Sequence, residues 1–273
     1  MNFKRIEWIF FVAFIMLDVF LVSSYFKQGP AVMDATVNHP ENTTVSVLKS
    51  MRDDQITIGK TSNETGTGYY VSSPNNDDLK NKAGQLHYQS WSMNGNLLDS
   101  TFATMIKVNA DNPSKVLKSI VNDPNQIIDG KDYQYSKALS TKDTIVYTQK
   151  VNGEPFYDNG GQIRFHLKNG YVQGYTQGHL ANLQTLRGAR KTLSQKRALI
   201  WLYQYNKLPS NSTVESSNLA YSKMLTVNGN TVYIPTWVFE IKNNASGTII
   251  YRRINAFTGA DRKSTRLNSS HWW

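Results

Sequence analysis

The chain has 273 residues, a formal net charge of +10 at neutral pH and no cysteine. The missing cysteines exclude disulfide staples, thiolate metal sites and a cysteine nucleophile. The basic balance points to an anionic neighbour; with the apolar segment that opens the chain, that neighbour is membrane head groups or an anionic envelope polymer, and nucleic acid is excluded.

Trp8–Phe26, WIFFVAFIMLDVFLVSSYF, is a nineteen-residue apolar stretch with one charge, Asp18. At helical rise it spans about 28 Å, the hydrocarbon thickness of a bilayer. Eleven residues between Ile9 and Val22 are Ile, Leu, Val or Phe. They favour insertion by roughly 3 to 7 kcal/mol, against a cost of about 2.5 to 3.5 for a central aspartate. Insertion survives with a reduced margin. Intramembrane carboxylates rarely face lipid. The ordinary reading is an aspartate tolerated by snorkelling or protonation; the functional one makes Asp18 and its neighbours one turn away, Phe14, Ile15, Leu21 and Val22, the contact with a partner transmembrane helix. Lys4 and Arg5 precede the span, which puts residues 1–7 in the cytoplasm and the bulk outside the cell. Val22-Ser23-Ser24 is a poor cleavage site, so an uncleaved single-pass anchor over 8–26 is expected.

Residues 27–50 read as a polar juxtamembrane linker with a short helix or strand at Val45–Met51. Strands are predicted at Gln55–Ile58, Tyr69–Ser72, Gln85–Met93 and Phe102–Val108, with a hairpin turn at Asn94-Gly95. Asp111–Val121 reads as a helix, capped by Asp111 or Asn112, with Pro113 in its first turn. Strands resume at Asp132–Leu139 and Thr144–Val151, followed by the turn Asn152-Gly153. Gln162–Lys168 alternates strictly: Ile163, Phe165 and Leu167 face one way, and Gln162, Arg164, His166 and Lys168 the other. Asn169-Gly170 is a type I′ signal, and Tyr171–Thr176 returns. A second helix is predicted at Leu193–Asn206. Thr192 and Gln195 have capping-box spacing, and Ala198, Leu199, Trp201, Leu202 and Tyr205 form its apolar stripe. Three strands follow: Leu219–Val227, Thr231–Ile241 and Thr248–Phe257. Pro235 marks an edge or bulge in the middle one. This order predicts an α+β fold with antiparallel sheets. Two similar sheet-plus-helix modules are expected, at 51–150 and 151–260. Residues 261–273 contain DRKSTRLNSSH, which resembles a translated sequencing adapter and is expected to carry no fold information.

No H-E-x-x-H, G-x-S-x-G or penicillin-binding motif occurs. His39, His87, His166 and His179 are widely spaced; His166 and His179 are the two a hairpin would bring closest. Glu215 and Glu240 are isolated. No catalytic residue, metal or cofactor is expected. Arg187–Arg197, RGARKTLSQKR, holds five basic residues and no acid. Its ordinary reading is a solvated loop and a polar helix face. Its functional reading is an anionic or partner surface formed by Arg187, Arg190, Lys191, Lys196 and Arg197.

The opening MNFKRIEWIFFVAFIMLDVFLV is similar to the N-terminus of the YycI proteins. NGEPFYDNGGQIRFHLKNGYVQGYTQGH, QKRALIWLYQYNKLP and YIPTWVFEI followed by YRRINAFTGA resemble blocks of YycI and its relative YycH. The N-A-F-T-G ending is also similar to PepSY-type modules. The resemblance covers residues 1 to about 260. It implies a non-enzymatic accessory protein of the WalK–WalR (YycG–YycF) two-component system of Gram-positive bacteria. Its anchor would associate with the transmembrane helices of a WalK/YycG-like sensor histidine kinase and a YycH-like protein. Asp18 departs from the amide or apolar residue the resemblance leads one to expect. The competing expectation is a PepSY-like envelope-binding or protease-inhibiting module for which the helix is only a tether.

Overall fold

The computed structural model describes residues 3–27, 41–109, 112–259 and 261–262. The proposed cap at Asp111, residues 28–40 of the linker, His39 and residues 263–273 lie outside them. The chain divides into two units, Met1–Asn42 and Thr43–Trp273.

The first unit carries helix α1, Phe3–Lys27. It contains neither Gly nor Pro, so nothing interrupts its backbone ladder. Trp8 and the residues from Phe10 to Leu21 are exposed along it. Lys4, Arg5 and Val22 are described in backbone only. Among the described residues no helix is long and apolar enough to cross a membrane.

The second unit begins with α2, Glu41–Asp53. Met51 is fully buried, and Val47 and Leu48 pack against the same core. The segment expected as linker therefore ends as a core helix, because its three apolar residues recur at helical spacing. Strands β1 (Ile56–Ile58), β2 (Thr67–Gly68) and β3 (Val71–Pro74) follow. Next come the short α3, Asp78–Lys82, and a 3₁₀ turn at Ala83–Gln85. The strand expected from Gln85 starts only at Gln89, because Tyr88 has φ of +57° and breaks the extended run.

β4 (Gln89–Asn94) and β5 (Leu97–Lys107) form the hairpin signalled by Asn94-Gly95. Helix α4 is Pro113–Val121, with Pro113 in its first turn as expected. The strand expected at 132–139 shrinks to β6, Gln134–Tyr135. β7 (Thr144–Thr148), β8 (Lys150–Val151) and β9 (Glu154–Pro155) follow. β10 (Gln162–Lys168) and β11 (Tyr171–Gly178) meet at Asn169-Gly170, where both φ values are positive (+52° and +78°), as a type I′ turn requires.

The short β12 (Gln184–Thr185) and β13 (Arg190–Lys191) precede α5, Gln195–Gln204. Its cap is Ser194, whose Oγ accepts from the Arg197 N–H at 3.3 Å. Thr192, expected as the cap, instead accepts from the Gly66 N–H at 3.2 Å. Tyr205, expected on the buried stripe, ends the helix and is exposed. The long strands β14 (Ser212–Val227) and β15 (Asn230–Asn243) are followed by β16 (Ile249–Asn255) and β17 (Asp261–Arg262).

Two sheets result. One is six-stranded, β4-β5-β11-β10-β7-β6, and antiparallel throughout. The other is seven-stranded, ordered β1-β14-β15-β16-β17, with β3 on β15 and β12 on β3. Only β1 on β14 is parallel there. The six-stranded sheet is a continuous stretch of chain, while the seven-stranded one takes strands from before and after it. The six-stranded sheet is thus nested within the chain span of the seven-stranded one, and the expected split at 150/151 falls inside β8. Pairing across the sheet, rather than order along the chain, decided the division.

Pro235 sits where β15 changes neighbours, from β3 (up to Tyr233) to β16 (from Thr236). Its carbonyl accepts from the Ala256 N–H at 2.9 Å, so its missing donor faces that gap and costs no ladder bond. The N-A-F-T-G segment is a closed turn: Asn255 Oδ1 accepts from the Phe257 N–H at 2.8 Å, and Gly259 has φ of +71°. A Cβ on Gly259 would enter the Trp201 ring.

Met51→Ala is expected to destabilise the protein by about 2–5 kcal/mol, the cost of a core cavity, read as a lower urea midpoint; a true linker residue would show no change. Gly259→Ala is expected to cost about 2–4 kcal/mol through left-handed strain and collision with Trp201, read by the same denaturation.

Candidate functional site

Each sheet buries one face against its own core. On the six-stranded sheet Ile163 and Phe165 of β10 point into a cluster with Leu117, Val121 and Tyr175. On the seven-stranded sheet Phe239 and Ile241 of β15 and Ile254 of β16 pack with Met51, Leu199 and Leu202. Strand alternation sends the intervening residues to the opposite faces. Those faces meet. Gln162 and Arg164 of β10, with the segments around Leu139 and Tyr157, form one wall of a groove. Ser216, Asn218 and Ala220 of β14, Val238 and Glu240 of β15 and Tyr251 of β16 form the other. In register, Ser216, Glu240 and Tyr251 lie side by side across three strands. The groove holds about 690 Å³, counting space open to solvent.

Gln162 is the joint of the first wall. It is 1% exposed. Its Nε2 donates to the carbonyls of Phe156 (2.8 Å) and Tyr157 (2.9 Å), and its Oε1 accepts from Arg164 at 3.0 Å. One amide thus fixes both the arginine and the segment beside it. The alternation read for β10 is correct, but its polar face meets the other sheet rather than water at Gln162 and Arg164. Burial holds the Arg164 guanidinium below the usual arginine range. Among the described residues Arg164 makes no ion pair.

The facing wall is nearly neutral apart from Glu240. Ser216 Oγ donates to Glu240 Oε2 at 2.9 Å. Burial, and then the nearby Glu240 carboxylate, push the Tyr251 phenol up to about 12. Burial also raises Tyr157. Behind the groove Asp158 ties the walls together. It accepts from Arg253 at 3.4 Å and from the Lys223 N–H. The Arg253 guanidinium lies over the Tyr157 ring, 5.4 Å from its centroid.

The residues expected from the sequence fall elsewhere. Asp18, Phe14, Ile15 and Leu21 are exposed on α1. The basic run is divided between a loop, β13 and α5. Arg187 and Lys191 are exposed, and Lys196 and Arg197 are half-buried in the first turn of α5. Arg190 is committed to packing: its guanidinium lies 5.3 Å from the Phe257 centroid and 5.9 Å from that of Tyr70, and it donates to the Tyr70 hydroxyl at 3.3 Å. His166 is opposite Gly174, while His179 faces Asp132 at 3.1 Å, so the two histidines do not pair with each other. Among the described residues no group of three or more His, Asp or Glu side chains is placed to hold a metal.

Sequence reading missed Arg164 and Glu240 because the groove joins strands far apart in the chain. One local signal was present. Ser216, Asn218 and Ala220 are small and uncharged at every second position, where a solvent-facing strand ordinarily carries charge.

Fold and groove together define an α+β domain of two nested, mainly antiparallel sheets with a groove between their polar faces. The YycI protein family matches residues 35–257, and the chain belongs to that family. YycI proteins are regulatory accessory proteins of the YycG (WalK) system. Among solved structures, an uncharacterized protein from Eubacterium rectale ATCC 33656 is similar at 11% identity and a TM-score of 0.45, over 81% of this chain and 98% of that one. The Bacillus megaterium YpeB C-terminal domain is similar at 15% identity and a TM-score of 0.36, over 82% of this chain and 96% of that domain. No curated protein matches.

Asp158→Asn is expected to cost about 1–3 kcal/mol, since it removes the charge from the ion pair with the largely buried Arg253; the change in unfolding free energy in urea measures it.

Proposed function

We propose that this chain is a non-enzymatic, single-pass membrane regulator of a WalK/YycG-type sensor histidine kinase, working with a YycH-like partner. The observation that carries this reading is the family match over residues 35–257. In this reading α1 is the anchor, Lys4 and Arg5 hold its start in the cytoplasm, and the second unit lies outside the cell. The apolar composition of 8–26 supports anchoring. Asp18, in the middle of that stretch, supports a polar contact with a partner helix rather than a passive tether.

Three experiments test it. The chain has no native cysteine, so single introduced cysteines report topology. A membrane-impermeant maleimide applied to intact cells is expected to label Asn63→Cys and to leave Asn2→Cys unlabelled; the reverse pattern rejects the orientation. Asp18→Leu is expected to lower co-purification with the kinase and to change its autophosphorylation. Replacing residues 6–26 by an unrelated anchor separates the readings: regulation is lost if the helix is the contact, and kept if it only tethers an envelope-binding or protease-inhibiting domain.

A further inference from the structure

Arg164 presents an unbalanced charge. A guanidinium has five N–H donors, and among the described residues the one acceptor it finds is the neutral Gln162 amide. Two other arginines are matched, Arg253 by a carboxylate and an aromatic face, Arg190 by two aromatic faces. A partly desolvated arginine without a carboxylate is costly unless something supplies one, and carboxylate is the planar anion its fork matches best. The nearest fixed carboxylate in the groove, Glu240, is already engaged by Ser216.

The rest of the groove suits a peptide. β1 pairs with β14 only as far as Val214, and Phe156 next bridges it at Tyr221. Among the described residues, the stretch 215–220 therefore has a ladder partner on the β15 side alone, with β9 lying beside its end nearest Tyr221. An unpaired strand edge offers N–H and C=O groups to an extended chain. Asn218 and Ser216 add side-chain hydrogen-bonding groups at the same place, and Val238, Ala220 and Leu139 offer apolar contact.

We infer that the groove binds the carboxyl-terminal end of a short peptide, with the terminal carboxylate on Arg164 and the peptide backbone along the open stretch of β14. The charge selects a free carboxylate, and the strand edge selects a chain of amides over a simple organic acid.

The test is equilibrium dialysis of the full-length chain in lipid nanodiscs, with empty nanodiscs as the blank and mass spectrometry as the readout. Three probes are compared: a random tripeptide pool with free carboxyl termini, the same pool amidated, and isocaproate, an apolar acid without amides. The free-acid pool is expected to be retained at least about tenfold better than either of the others, the scale of one charge-assisted bidentate contact. Arg164→Gln is expected to reduce free-acid retention to the amidated level, and Arg164→Lys to keep part of it. Asn218→Phe, on the opposite wall, is expected to block retention while Arg164 is intact. Equal retention of the acid and amide pools, retention unaffected by Arg164→Gln, isocaproate retained as well as the peptides, or no retention at all would each overturn the proposal. The assay contains no kinase, so it reads the groove independently of the regulatory role.

Discussion

The hairpin of β14 and β15 is the element on which the rest depends. Its strands, sixteen and fourteen residues long, pair along their whole length, and every other residue of each goes to a different task. Phe239 and Ile241 close a core with α2 and α5. Val238, Glu240, Ser216 and Asn218, one step along, line the groove. A register slip of one residue would exchange the two sets and destroy both. Asn228-Gly229, both with positive φ, sets that register at the turn.

The same hairpin explains the nesting. β15 accepts β3, from early in the chain, on one side of Pro235 and β16, from the end, on the other. A single strand thus gathers both ends of the domain, and the six-stranded sheet is inserted between them. Because the insertion leaves and re-enters near the same strand, the polar faces of the two sheets are held opposite each other. Gln162 and Asp158 fix that relation with hydrogen bonds to backbone on both sides.

Charge is distributed to match this architecture. Arg253 closes the back of the groove against Asp158 and Tyr157, where a paired and stacked guanidinium adds rigidity. Arg190 packs between rings and is removed from the basic surface that its run suggests. Of Arg164, Arg190 and Arg253, Arg164 is the one held by a neutral amide and with donors left to offer.

The local elements were legible in the sequence. Asn-Gly pairs fixed the hairpins, Pro113 the start of α4, and strict alternation the strand β10, because turn chemistry and side-chain period act within a few residues. The family was legible too, through blocks that turn out to be β10–β11, α5 and the N-A-F-T-G turn. What only the tertiary structure decided is which polar residues leave water. Gln162 and Arg164 alternate like any solvent-facing pair, and Thr192 looks like a helix cap until Gly66 takes its hydroxyl. Nor could the chain order reveal that α2 belongs to a core whose strands lie about 200 residues away. Burial of a polar face depends on what packs over it, and that partner is chosen by long-range pairing, which no local pattern encodes.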